Sequence, residues 1–180
     1  IGFGGAPFTL MCYMTEGGGS KLYSKVKNWI YQFPKESHKL LQMLTDALIE
    51  YLCQKIIHGA QAIQIFDTNA GELPGDIFEE FALIYAEKVA AGVKARFPKI
   101  PIIYFGKGQH ARLEKIFQIP YFDGISIDYA TDASYAVELG KKYNKIIQGN
   151  LDPGVLLGSV EFIIEQTNQM LNSFSDSQFK

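Results

Sequence analysis

A chain of 180 residues, 47% hydrophobic and 20% charged, can bury one substantial core and has the profile of a globular protein, not a disordered one. Its formal net charge of −2 and scattered cations, with pairs such as Lys141-Lys142 reading as solvated helix faces, exclude a basic nucleic-acid surface or an anionic-membrane surface. Cys12 and Cys53, in different expected helices, exclude a disulfide-dense framework and a cysteine-rich zinc site and fit a reducing compartment, and no apolar run approaches the ~20 residues of a membrane span.

The chain opens at Ile1-Gly2 in strand-like sequence, with no initiator Met and no signal or transit pattern, so an upstream segment is expected to have been removed. Ile1–Gly5 reads as a short strand, and Ala6–Met14 has helical character. Gly17-Gly18-Gly19-Ser20 is a flexible break. A short helix near Ser24–Gln32 precedes Phe33-Pro34. The longest helix then runs from Glu36 to about His58, with Leu40, Leu41, Leu44, Leu48, Leu52 and Ile56 at spacings of three and four and Gly59 placed to end it. Ala62–Phe66 is a strand, followed by the polar loop Asp67-Thr68-Asn69-Ala70-Gly71. Asp76–Phe97 is a helix with Asp76 as N-cap and Glu79 as its capping-box partner. Ile100–Phe105 is a strand, Gln109–Phe117 a helix, and Gly124–Asp128 a strand. Thr131 or Asp132 opens a helix that ends near Gly140, and Lys145–Gln148 is a strand. Pro153 suits the first turn of a small helix, and Ser159 caps a last one reaching about Asn172.

Five β-α units joined by short connections imply parallel strands with right-handed crossovers, and the unbroken hydrophobicity of the strands implies burial on both faces. A doubly wound open sheet and part of a (β/α)8 TIM barrel both fit. The strand ends favour the barrel. Gly4-Gly5-Ala6, Asp67-Thr68-Asn69, Gly106-Lys107-Gly108, Asp128-Tyr129 and Gly149-Asn150-Leu151-Asp152 all place small or polar residues where a barrel builds its active site, whereas an open sheet concentrates ligand chemistry near one switch point.

General motifs assign no reaction. Gly2-x-Gly4 and Gly106-x-Gly108 fail the dinucleotide pattern, since Pro7 and Ala111 stand where its third glycine belongs, and neither is followed by the ending of a phosphate-binding loop. His38 and His58 fall in or beside the long helix, where surface or capping roles fit them. His110 follows a strand and can approach a pocket. No histidine pair at metal-ligand spacing and no G-x-S-x-G elbow occurs.

Three segments carry a resemblance: Ile1-Gly2-Phe3-Gly4-Gly5-Ala6-Pro7-Phe8-Thr9-Leu10-Met11-Cys12-Tyr13-Met14 with Glu16-Gly17-Gly18-Gly19-Ser20; Ala60 through Gly71; and Gln148-Gly149-Asn150-Leu151-Asp152-Pro153. Together, and with the helix lengths between them, they make the chain similar to the uroporphyrinogen decarboxylase family over essentially all its residues. The resemblance implies a (β/α)8 barrel of which residues 1–180 form about five consecutive central units of one domain. It implies removal of the four acetate carboxylates of uroporphyrinogen to give coproporphyrinogen, with no metal and no organic cofactor. Protonating a pyrrole turns the ring itself into the electron sink, so the protein must supply an acid, bind anionic side chains and stabilise a cationic ring.

By the same resemblance the family's pocket tyrosine matches Tyr13 and its pocket serine or threonine matches Thr68, while Phe3 and Phe66 match aromatic residues lining the cavity. Read without the family, Tyr13 is a buried tyrosine with a satisfied hydroxyl, Thr68 a turn or capping hydroxyl, and both phenylalanines are barrel packing. The family's arginine-rich segment and its N–H-accepting aspartate are expected before Ile1, and its pocket histidine after Lys180. The 180-residue chain is therefore expected to be a fragment, without decarboxylase activity of its own and with exposed sheet edges. A homodimer and a cytoplasmic location, with the plastid as the alternative, are implied by resemblance only. Two other readings stay in view: a zinc- and corrinoid-dependent methyltransferase of the same superfamily, and a non-catalytic barrel fragment. The former places a His-x-Cys pair after its fifth strand, where this chain has Tyr104-Phe105-Gly106-Lys107-Gly108 and no later cysteine.

Overall fold

The computed structural model describes residues 1–18 and 20–174; Gly19, part of the expected glycine-rich break, lies outside the described residues. The strands are β1 (Gly2–Gly5), β2 (Ile63–Asp67), β3 (Ile102–Gly106), β4 (Gly124–Ser126) and β5 (Ile146–Gln148), all parallel, in the order β1-β2-β3-β4-β5. Every strand lies beside its predecessor. A doubly wound sheet reverses its strand order at a switch point and this one never does, so the barrel reading holds: the fold is a partial (β/α)-barrel.

The helices are α1 (Pro7–Glu16), α2 (Ser24–Gln32), α3 (Pro34–Ile57), α4 (Gly75–Phe78), α5 (Ile84–Arg96), α6 (Leu113–Gln118), α7 (Ala133–Tyr143) and α8 (Val160–Ser173). None among the described residues is long and apolar enough to cross a membrane. Both α1 and α3 begin on a proline, whose fixed φ suits the first helical position and whose missing N–H costs nothing there. Leu41, Leu48 and Leu52 of α3 join Ile63, Ile65, Ile102, Tyr104, Ile125 and Ile147 of the sheet in one apolar core between helices and strands. These strand residues alternate with Phe3, Phe66 and Ile146, which project from the opposite face and are at least partly exposed. The sheet is thus buried on its helix side and open on its concave side, where the continuous strand hydrophobicity had implied burial on both.

Four local expectations change. The helix expected over 76–97 is α4 and α5 joined by a π-helical turn, Glu79–Leu83. Asp76 does not cap it: the N-cap position falls on Pro74, so Asp76 is already helical. Its carboxylate and that of Glu79 instead reach Arg112, at 3.2 and 3.7 Å. The helix expected from Gln109 opens as a 3-10 turn, His110–Arg112, because the buried Gln109 amide is held by the carbonyls of Ala70 (2.5 Å) and Leu73 (3.1 Å). β4 stops at Ser126, and Asp128 turns the chain instead, accepting from the Ala130 N–H and the Thr131 hydroxyl, each at 3.1 Å. Finally, α7 passes through Gly140 and ends at Tyr143, capped by left-handed Asn144 with φ 52°. Gly140 is there for contact, not termination: a Cβ on it would lie 2.8 Å from Ile147 Cδ1. Asp132, one of the two expected openers, accepts from the Tyr135 N–H at 3.0 Å, and Ser159 caps α8 as expected.

Candidate functional site at the carboxyl ends of the strands

Successive residues of a strand point to opposite faces, and the end of β2 uses both. Asp67 turns to the helix side and is fully buried. Its carboxylate accepts from the Thr9 hydroxyl at 2.7 Å and from the Tyr104 hydroxyl at 3.0 Å. Thr9 Oγ1 in turn accepts from the Asn69 N–H at 3.2 Å, and the Tyr23 hydroxyl donates to Asn69 Oδ1 at 3.1 Å. This network fastens α1, α2 and β3 to the end of β2. Burial pushes Asp67 up to about 6 from an ordinary 3.8, against the opposing pull of the Thr9 and Tyr104 hydrogen bonds. Burial likewise pushes the Tyr104 phenol well up, and the charge of Asp67 adds to it.

Thr68 takes the other face and is exposed. It borders a cavity of about 360 Å³ shared with Phe105, Lys107, Ser126, Asp128, Tyr129, Asn150 and Pro153, drawn from the ends of β2 through β5. The distribution of small and polar residues over many strand ends is realised here as one shared wall. The loops after β2 and β3 meet backbone to backbone beside it. A Cβ on Gly71 would fall 2.9 Å from the Lys107 carbonyl oxygen and 3.1 Å from Gly108 Cα, so only glycine permits the approach.

Phe3 and Phe66 meet edge-to-face at 6.0 Å, and Phe66 meets Phe105 the same way at 6.1 Å. The three rings form an aromatic file across β1, β2 and β3 on the concave face. Phe3 and Phe66 are therefore not closed-over packing, being 58% and 37% exposed. Tyr13 is not a buried tyrosine either: at 61% exposure it projects from α1, one turn beyond Thr9, and does not border the cavity at Thr68. The sequence names Lys107 only within the strand-end run Gly106-Lys107-Gly108 and does not single out Phe105, yet both border this wall. The available signal was register, since Phe66 pairs with Phe105 across β2 and β3. His110 is not among the residues lining the cavity; its Nδ1 lies 3.0 Å from Thr131 Oγ1 and 3.6 Å from Asp128.

A second cleft of about 380 Å³ lies between the β1 edge and α3, lined almost entirely by apolar groups such as Leu10, Leu44 and Leu48. It offers no set of polar groups that could carry chemistry. Cys12 and Cys53 are both buried, and burial with the nearby charge of Asp67 pushes the Cys12 thiol up to about 12, which makes it a poor nucleophile or metal ligand. Among the described residues no cluster of three or more His, Cys, Asp or Glu side chains could hold a metal ion.

An arc of parallel β/α units with hydroxyls and aromatic rings converging at its strand ends defines a barrel of the enzyme type, with its site on the carboxyl face. The particular family follows from comparison. The family model described as "Uroporphyrinogen decarboxylase (URO-D)" matches residues 1–179, and the chain belongs to that family. It is 40% identical to the uroporphyrinogen decarboxylase of Schizosaccharomyces pombe over 179 residues, 97% of this chain and 50% of that protein. It is 43% identical to the Homo sapiens protein of that name over 185 residues, covering 99% and 50%, and 43% identical to the Dictyostelium discoideum one over 178 residues, covering 99% and 49%. The chain thus spans about half the length of these relatives. Among solved structures, a methyltransferase from Methanosarcina mazei superposes with a TM-score of 0.77 at 21% identity, over 95% of this chain and 49% of that one, a likeness of fold.

Proposed function

We propose that this chain is the central wall of a uroporphyrinogen decarboxylase barrel that converts uroporphyrinogen to coproporphyrinogen. The observation that carries the reading is the family match over residues 1–179. The site suits such a substrate. A tetrapyrrole has a broad apolar face and a rim of carboxylates; the file Phe3, Phe66, Phe105 offers the face a surface, and the Thr68 hydroxyl beside it offers the rim a donor. Tyr13, on α1 beyond the buried anchor at Thr9, supplies a second hydroxyl once further barrel units enclose the concave face. No metal or organic cofactor enters, because the protonated pyrrole takes up the electron pair as CO₂ leaves. Family membership also supports a homodimer and a cytoplasmic location, the plastid being the alternative.

The methyltransferase reading is weaker. It needs thiolates at zinc, and both cysteines are buried, Cys12 with its thiol pushed up to about 12. The proposal is tested in a protein of the family's full length built on this chain, by following conversion of uroporphyrinogen to coproporphyrinogen. Tyr13→Phe and Thr68→Ala are expected to lower turnover about tenfold or more while leaving the thermal transition in place. Unchanged kinetics in both variants removes these residues from the site. The 180-residue chain alone is expected to show no turnover. Its two arginines, Arg96 and Arg112, are held by Glu50 and by Asp76 and Glu79 on outer helices, away from the concave face. Measurable product from the chain alone refutes that expectation.

A further inference from the structure

Lys107 follows β3 immediately and borders the cavity beside Thr68. Its ammonium has no ion pair and no hydrogen bond among the described residues, and it is the one cationic side chain among those lining the cavity. Three hydroxyls on the same lining, those of Thr68, Ser126 and Tyr129, also have no side-chain or backbone partner among the described residues. The cavity has one carboxylate, Asp128, and it is already engaged. Its oxygens accept from the Gly108 N–H at 2.7 Å, from the Ala130 N–H and from the Thr131 hydroxyl, and its side chain is 8% exposed. The charge of Asp128 is thereby spent on its own loop, and the cavity presents one free cation with three free donors.

We propose that Lys107, with the hydroxyls of Thr68, Ser126 and Tyr129, forms a binding subsite for a single carboxylate arm of the substrate. A carboxylate has one negative charge and about four acceptor positions, which one ammonium and three hydroxyls match. A phosphate dianion would call for a second cation that the lining lacks. The backbone contact between Gly71 and the Lys107–Gly108 peptide fixes the main chain from which the lysine projects against the Thr68 loop. The lysine holds the carboxylate by charge; the hydroxyls orient it, and Phe105 carries the apolar stem. The proposal rests on the decarboxylase reading for the identity of the substrate but not for the existence of the subsite.

The test uses the 180-residue chain with uroporphyrin, the oxidised, eight-carboxylate porphyrin, and octaethylporphyrin, which has no carboxylates. Acetylation of each lysine by an N-hydroxysuccinimide ester is read by mass spectrometry, and affinity by porphyrin fluorescence. Saturating uroporphyrin is expected to slow acetylation of Lys107 about fivefold or more, leave Lys99 at the opposite end of β3 unaffected, and be ineffective when replaced by octaethylporphyrin. Lys107→Gln is expected to weaken uroporphyrin binding about tenfold, and Lys107→Arg to keep it within about threefold. If uroporphyrin binds Lys107→Gln as well as it binds the unmodified chain and leaves Lys107 labelling unchanged, the subsite is wrong while the decarboxylase reading stands. If uroporphyrin does not bind but glutarate, a simple dicarboxylate, protects Lys107, the subsite stands and its tetrapyrrole ligand falls. Protection by neither overturns the subsite.

Discussion

Asp67 should make the stability of this protein depend on pH in a direction opposite to that of its surface carboxylates. The residue is fully buried, and its only described side-chain partners are the Thr9 and Tyr104 hydroxyls, neither of them a cation. Burial raises it to about 6 from an ordinary 3.8. The folded state therefore holds this proton more tightly than the unfolded state does. Between about pH 4 and 6 the native protein binds more protons at this group, so stability falls as pH rises. The contribution is fully present below about 3.8 and gone above about 6. With 1.36 kcal/mol for each pKa unit, it amounts to about 3 kcal/mol. Glu50, Glu114, Asp132 and Glu161 lie on the surface with lowered pKa values and act in the reverse sense, so the unmodified chain alone mixes the two trends. Comparison with Asp67→Asn separates them, because the surface groups are common to both proteins. The asparagine variant carries a fixed loss of about 1–3 kcal/mol, since its amide N–H₂ faces a hydroxyl that had been donating. Urea unfolding followed by circular dichroism, from pH 4 to 7.5, gives the difference directly. Relative to Asp67→Asn, the unmodified chain should gain about 2 kcal/mol as pH falls across that range, the remainder of the ~3 kcal/mol appearing below pH 4. A difference that stays flat with pH, or grows as pH rises, refutes the assignment of a raised pKa to Asp67.

Gly71→Ala should destabilise the chain by about 1–3 kcal/mol, because the new methyl falls 2.9 Å from the Lys107 carbonyl and backbone must move to relieve it; a thermal transition unchanged within error would show that the two loops are not in contact. Cys12 and Cys53 should be silent to a thiol reagent such as DTNB at pH 8 in the folded chain and both should react in urea, since each is buried. Rapid labelling of the native chain would place at least one of them outside the core.

Element type was legible wherever a periodic pattern met a strong terminator. The leucine spacing and Gly59 define α3 to within two residues, expected from Glu36 to about His58 and found as Pro34–Ile57, and the five β-α units follow from strand alternation alone. Boundaries failed where a side chain had a partner distant in sequence. Asp76 and Glu79 sit at capping-box spacing, yet Arg112, more than thirty residues on, takes their carboxylates. Gly140 looked like a stop, and its reason lies on β5, where Ile147 occupies the room a side chain would need. Of the candidate site, the resemblance names Thr68, Phe3 and Phe66; Thr68 borders the cavity, while Phe3 and Phe66 lie on the same concave face outside its lining. Phe105 has no local signature, and Lys107 is legible only as part of the strand-end run Gly106-Lys107-Gly108, which does not say what it faces. Their meaning comes from register with Phe66 and from the contact at Gly71.

The end of β2 shows why the site and its support are inseparable here. Asp67 and Thr68 are adjacent, so the pleat sends one inward to the helices and the other outward to the cavity. Whatever fixes Asp67 fixes the peptide that carries Thr68. Thr9 binds Asp67 from α1, and the same helix bears Tyr13 one turn further on, so one buried hydrogen bond of 2.7 Å sets the relation between the two hydroxyls proposed to meet substrate. Tyr104 binds the other carboxylate oxygen from β3, the strand that Lys107 immediately follows. A carboxylate without a cation is costly to bury at this position, and a leucine would remove that cost only by stranding the buried hydroxyls of Thr9 and Tyr104, at about 1–3 kcal/mol each. The carboxylate instead joins three elements by directional bonds, each of which leads within one helical turn or three residues to a group on the candidate site. Its value is therefore geometric, and Asp67→Leu should lower the urea midpoint through the two stranded hydroxyls and also lose the registration of Tyr13, Thr68 and Lys107, whereas an unchanged midpoint would show that neither hydroxyl depends on Asp67.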